Sequence, residues 1–149
     1  MKIVLQRVLK ASVEVNGRTV SEIGKGLLLL VGIGKRDDAF IAREIAAKIN
    51  NMRIFDDRDG RMNLNLKAAG GDILSVPQFT LYGRTEKGNR PGFDEAAEPA
   101  EAMVLWQTFN EELGGGGVQV REGEFAAHME VTLVNDGPVT FVLDSDRKK

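Results

Sequence analysis

Cysteine is absent from the 149 residues, and histidine occurs once, at position 128. The first absence excludes a disulfide framework, a thiolate metal site and a cysteine nucleophile, and it suits a reducing cytoplasm. The second excludes a multi-histidine zinc centre within one subunit and leaves at most one imidazole for acid–base work. A metal-free mechanism is the expectation. No apolar run approaches the length of a membrane span, and "MKIVLQRVLKASVEVNG" interrupts its apolar residues with charges, as a strand does and a signal peptide does not. An excess of either charge is also missing, with 20 basic against 22 acidic residues, so any contact with RNA must be local. There is no Gly-x-Ser-x-Gly elbow, no phosphate loop ending in Gly-Lys-Ser/Thr and no His-Glu-x-x-His.

The residues present suit one domain large enough to bury its own core. Residues 2–9 and 12–15 are rich in Val, Ile and Leu, and Asn16-Gly17 is a strong hairpin signal. "GLLLLVGIG" is a short apolar run closed by glycines, which predicts a strand buried on both faces. Ile41, Ile45 and Ile49, with Met52 next, define an amphipathic helix that Asp37 or Asp38 can cap. A second helix starts near Pro99, carries a stripe of Leu105, Phe109 and Leu113 with Trp106 beside it, and ends at the glycines 114–117. "GDILSVPQFTLYG" reads as a strand placed at an edge or bulge by Pro77. Strands at 118–121, 128–134 and 139–143 complete an α+β pattern without internal repeat, the last two flanking an Asn-Asp-Gly-Pro turn.

Each candidate site has a bland reading beside the functional one. Asp56, Asp57 and Asp59 resemble the start of a calcium loop, but a loop beginning at Asp57 would have Ala68 where the bidentate Glu belongs, so a solvated turn is the better reading. His128 has no visible partner and reads as structural or exposed; Trp106 reads as core and not as a base-stacking platform. Arg84, Lys87 and Arg90 are either phosphate contacts or solvated loop charge. Gln78, Phe79 and Thr80 follow Pro77, where disturbed pairing either leaves backbone N–H groups for an oxyanion or makes an ordinary edge. Gly137-Pro138 is either a rigid turn or a device that aims two carbonyls in one direction.

Six segments resolve several of these choices together: "QRV" at 6–8, "RIFDDRDGRMNLNL" at 53–66, "PQFTLYG" at 77–83, "KGNRPGF" at 87–93, "FAAHM" at 125–129 and "NDGPVT" at 135–140. In this order they resemble the D-aminoacyl-tRNA deacylases, from residue 1 to about 144, with 145–149 left as a polar C-terminal tail. The resemblance implies a homodimer of α+β, barrel-like subunits with mostly antiparallel strands and two main helices. It implies a cytoplasmic esterase that cuts the bond between a D-amino acid and the 3′-terminal adenosine of tRNA without cofactor or membrane. Gln78, Phe79 and Thr80 would form the catalytic pocket, with backbone N–H groups meeting the carbonyl oxygen, Thr80 near the scissile ester, and the substrate's ribose 2′-hydroxyl aiding water. Gly137 and Pro138, joined by a cis bond, would enter the partner's pocket, hold the α-amino group and exclude an L side chain, with Arg7 fixing their orientation. Phe125 and Met129 would flank the adenine. Glycine mischarged on tRNA(Ala) would also be accepted, having no side chain to reject.

Two positions depart from the pattern: serine is common where this chain has Pro77, and aspartate where it has His128. The first removes a hydroxyl and an N–H beside Gln78, and the second puts a titratable ring near the adenine site. Two other readings follow, a catalytically impaired RNA- or nucleotide-binding module and a dimeric adaptor in which "NDGPVT" merely interlocks.

Overall fold

The computed structural model describes residues 1–148. Strand β1 (Lys2–Val15) turns at Asn16-Gly17 into β2 (Arg18–Ile23), and β3 (Gly26–Gly32) then returns along β1. Both pairings are antiparallel, β3 taking residues 2–8 of β1 and β2 taking residues 11–15. Helix α1 (Ala39–Asn51) follows, with the Asp38 carboxylate accepting from the Ile41 N–H at 2.9 Å as its cap. Its buried face is Ala42, Ile45, Ala46 and Ile49. The acidic segment closes a small hairpin, β4 (Phe55–Asp56) with β5 (Met62–Leu64). Asp57 spends its carboxylate on the N–H groups of Asp59 and Arg61, at 2.9 and 3.1 Å. The Arg61 hydrogen bond is the main reason its pKa lies below the usual carboxylate value.

A single helical turn, α2 (Leu66–Ala69), was not legible in "NLNL", whose alternation mimics a strand. Asn65 caps it through the Ala68 N–H at 2.9 Å, and Leu66 is buried beneath it. Strand β6 (Asp72–Pro77) lies parallel to β3, and β7 (Val120–Glu122) lies parallel to β6 on its other side. Between them runs α3 (Pro99–Gly115), packed on α1, which buries Ala102, Trp106, Phe109 and Leu113. Leu105, expected on the apolar stripe, is only partly buried, because the face turns toward the larger Trp106. Strand β8 (Glu130–Asp144) pairs antiparallel with β1 along nearly its whole length. The result is a nearly closed, barrel-like mixed sheet of order β2-β1-β3-β6-β7 with β8 on β1, plus three helices.

Strand β3 is buried on both faces, as its composition predicts. Leu27, Leu29 and Val31 join the helix-side core with Ile3, Leu5, Ile49 and Phe109, while Leu28 joins a second core with Val8, Val13, Leu74 and Val76. Each such side chain withdrawn from water contributes about 1.5–3 kcal/mol before the cost of ordering the chain. Strand β1 passes from the first core to the second between Leu5 and Val8, so Arg7 sits at the crossing.

Three readings of the sequence are corrected. Strand β6 is internal, not an edge, and Pro77 is its last residue. The ladder to β7 ends where Gly123 donates to the Ser75 carbonyl at 2.8 Å, because the next N–H on that side would be the one proline lacks. The third of the expected C-terminal strands and the one before it are a single strand, β8. Asn135 pairs with Val8 and Thr140 with Gln6, so residues 136–139 leave the ladder and return to the same neighbour. "NDGP" is therefore a bulge within a strand and not a reversal of the chain. His128 accordingly falls in the 123–129 loop and not at a strand head. Beyond β8, Ser145 opens a 3₁₀ turn and donates its N–H to the Met1 carbonyl at 2.9 Å.

Candidate active site

At the carboxyl ends of the parallel strands β3, β6 and β7 the sheet opens into a cavity of about 610 Å³, the usual place for a ligand in parallel sheets. Its floor is the core itself. Trp106 is 3% exposed and donates its Nε1–H to the hydroxyl of the fully buried Ser75 at 2.9 Å, which satisfies both polar groups. Phe125 packs on Trp106 with ring centroids 5.9 Å apart. Phe79 and Phe93 meet edge to face at 5.1 Å on another wall. The loop from Phe125 to Met129 covers the cavity, and Ala126 holds a positive φ of 63° within it, an uncommon state for a residue with a side chain.

Gln78, Phe79, Phe125 and Met129 all line this cavity. After Pro77 the chain makes one more bond to β3, from Gln78 N–H to the Val31 carbonyl at 2.7 Å, and then coils into the 3₁₀ turn Phe79–Tyr82. Among the described residues no acceptor meets the N–H groups of Phe79 and Thr80, which open that turn. An unpaired donor on Phe79, which lines the apolar pocket, followed by a second on the next residue, can receive a carbonyl oxygen as it gains negative charge. Thr80 lies outside the lining, with its hydroxyl accepting from the Gln78 side-chain amide. His128 does line the cavity, as do Glu98, Phe93 and Trp106, to which the sequence reading gave no role. Trp106 could have been found: an indole N–H in a core must meet an acceptor, which places it at a polar border.

Arg7, Gly137 and Pro138 are not brought to the cavity of their own chain. They form a second constellation. The Gly137-Pro138 bond is cis, and both residues are exposed. Arg7 is 6% exposed and reaches two segments: Nε donates to the Asp136 carbonyl at 3.0 Å, and Nη1 to the Ile54 carbonyl at 2.8 Å and the Asp56 carboxylate at 3.3 Å. Asn135 closes the base of the bulge: its Oδ1 accepts the Val139 N–H at 2.7 Å while its Nδ2 donates to the Val139 carbonyl at 3.3 Å. Gly137 has φ +146°, and a Cβ there would stand 2.6 Å from Val139 Cγ2. Only glycine is comfortable at that point.

Fold and site together define a class: a small α+β barrel with an aromatic-walled pocket at the ends of its parallel strands, edged by unpaired backbone donors. The chain belongs to the D-Tyr-tRNA(Tyr) deacylase family, whose model matches residues 4–144. It is 54% identical over 144 residues to the D-aminoacyl-tRNA deacylase of Lactobacillus acidophilus, covering 97% of this chain and 99% of that protein. The Thermosipho africanus D-aminoacyl-tRNA deacylase is 50% identical over 147 residues, covering 99% of each. Among solved structures, the c-Myc DNA Unwinding Element Binding Protein superposes with a TM-score of 0.90 at 38% identity, over 97% of this chain and 99% of that one. A probable eukaryotic D-amino acid tRNA deacylase shares the fold, with a TM-score of 0.81 at 19% identity over 95% and 97% of the two chains. No helix among the described residues is long and apolar enough to cross a membrane.

Proposed function

We propose that the protein is a D-aminoacyl-tRNA deacylase that works as a homodimer, the Gly137–Pro138 bulge of each subunit entering the cavity of the other. Membership of the family supports the reaction. One observation carries the cross-subunit arrangement: the bulge is exposed and rigidly clamped, yet absent from its own chain's cavity. The outer side of β8 supports a second copy as well. Its far edge has no strand partner among the described residues, and Leu9, Val134 and Val142 expose apolar side chains on β1 and β8.

In this reading the adenine lies against Phe125 and Met129, and the ester carbonyl points to the N–H groups of Phe79 and Thr80. Water attacks the carbonyl carbon, and the tetrahedral oxyanion is held by those two donors. The ribose 2′-hydroxyl relays the water's proton to the departing 3′-oxygen, releasing a free D-amino acid and tRNA. Gln78 and Thr80 order the rim. Carbonyls of the partner's bulge take the α-ammonium, which fixes the side chain's direction and leaves no volume for an L residue. Glycine on tRNA(Ala) passes because it presents no side chain.

The test is hydrolysis of D-tyrosyl-tRNA beside L-tyrosyl-tRNA at equal enzyme, with and without chelator, alongside molar mass by light scattering. Rapid loss of the D ester alone, chelator-insensitive and from a dimer, is the expected result. Loss of neither ester, with binding of an aminoacyl-adenosine mimic retained, would replace it by the nucleotide-binding module.

A further inference from the structure

The Phe79–Tyr82 turn is only four residues long, and 3₁₀ turns of that length do not hold themselves in place. Two backbone bonds tie it to its flanks: Leu81 N–H to the Gln78 carbonyl at 3.2 Å and, at its exit, Gly83 N–H to the Thr80 carbonyl at 2.9 Å. Phe79 at its head is 59% exposed, but Tyr82 at its end is 6% exposed. The tyrosine ring is inserted beneath Gly34: a Cβ at that glycine would fall 2.6 Å from the phenol carbon and oxygen. Lys2 covers the ring with Nζ 4.7 Å from its centroid. The phenol donates to Asp37 Oδ2 at 3.3 Å.

Asp37 is itself immobilised. Its side chain is 3% exposed and ion-paired with the Met1 ammonium, and it accepts the Gly34 N–H at 2.6 Å and the Ser145 hydroxyl at 3.4 Å. The segment after β3, the entry to α1, Met1 and the start of the turn after β8 therefore meet at one carboxylate. Burial, then the charge of Asp37, push the Tyr82 pKa well up, so the phenol stays a donor across the working pH range. Tyr82 and Asp37 do not line the aromatic cavity.

We propose that Tyr82 is a positioning residue, anchored by Asp37, that holds the Phe79–Tyr82 turn so that the Phe79 and Thr80 N–H groups stay aimed at the rim of the cavity. Its catalytic consequence rests on the deacylase reading; the anchoring itself does not. A donor pair used on a developing oxyanion must be fixed to within about half an ångström to be effective. Gln78 fixes the start of the turn through Val31, and Tyr82 fixes its end.

The experiment compares Tyr82→Phe, Asp37→Asn and the double variant by D-tyrosyl-tRNA hydrolysis and by amide hydrogen exchange. Tyr82→Phe keeps the ring under Gly34 and removes only the tether. The expected result is a kcat lowered about fivefold with KM within twofold, and about tenfold faster exchange at the hydrogen-bonded amides of Leu81 and Gly83 with α1 and β3 unchanged. The double variant should be no slower than Asp37→Asn alone, because one anchor is being cut twice. Unchanged exchange in the turn, or exchange that rises equally through α1 and β3, would overturn the proposal. So would a rise in KM at constant kcat. If wild-type protein leaves the D ester intact, the deacylase reading fails while exchange in the turn still decides the anchor.

Discussion

The cavity wall is built from side chains that the core already needs, whereas the Gly137–Pro138 bulge owes its shape to polar groups recruited for it alone. Trp106 and Phe125 extend the helix-side core, and Val76 extends the second one; removing ligand from such a wall leaves it standing. The bulge contributes Val139 to the interior, and otherwise hangs on Arg7 and Asn135. A surface formed by packing tolerates gradual change, while one formed by a few hydrogen bonds is either correct or lost. The division suits a site in which the wall binds and the bulge discriminates.

Substitutions at the two constellations should therefore separate affinity from selectivity. Arg7→Ala should have the largest effect, about 3 kcal/mol of stability, since it strips a buried guanidinium from the Ile54 and Asp136 carbonyls. Urea denaturation measures the loss, and discrimination between D and L esters should collapse with it. Gly137→Ala comes next, at about 1–2 kcal/mol from backbone strain and the clash with Val139. It should cut the D-over-L ratio at least tenfold while an adenosine mimic binds as before; an unchanged ratio would remove the bulge from selectivity. Trp106→Phe should cost about 1–1.5 kcal/mol by leaving the Ser75 hydroxyl without its donor. Here calorimetric binding of the mimic should weaken a few fold with the D-over-L ratio intact, and the contrast between wall and bulge breaks if that ratio falls instead. Asn135→Ala should be mildest, near 1 kcal/mol, because Arg7 still grips Asp136; equilibrium unfolding in urea at fixed pH reads it.

Much of this could be read before any coordinates. A period near four placed α1 and α3, whose apolar residues face the core and polar ones water, while the Val, Ile and Leu content of β1 and the unbroken apolar run of β3 marked strands that meet two cores. Segments where local pattern and tertiary role diverge were misread. Pro77 looked like an edge signal because a proline inside a ladder is costly, but it lies where the ladder to β7 stops, and that ending opens the cavity. "NDGP" looked like a reversal because the four residues have turn chemistry; only the pairing of β1 with both sides of it reveals a continuous strand. The six motifs identified Gln78, Phe79, Phe125 and Met129, which the fold assembles into one cavity. The resemblance they carry also implied that Gly137 and Pro138, oriented by Arg7, serve a partner's pocket, and these three residues do lie apart from their own chain's cavity. Tyr82 was quoted with its motif and passed over, because its weight comes from Gly34 and Asp37, far away in the chain.

Arithmetic along β8 sets a further rule. From Gln6 to Lys10 strand β1 advances four residues, while its partners run from Thr140 back to Val134, six residues. The surplus is two, an even number. Alternation therefore survives the bulge: Val131 and Leu133 before it pack on the second core, and after it Val139 is buried while Phe141 and Leu143 pack on the helix-side core. One residue more or fewer would turn the last three out to solvent and bring Thr140 and Val142 into the core. Changes of length at this loop are thus restricted to pairs, and a parity constraint protects the protrusion from drift by single insertions or deletions.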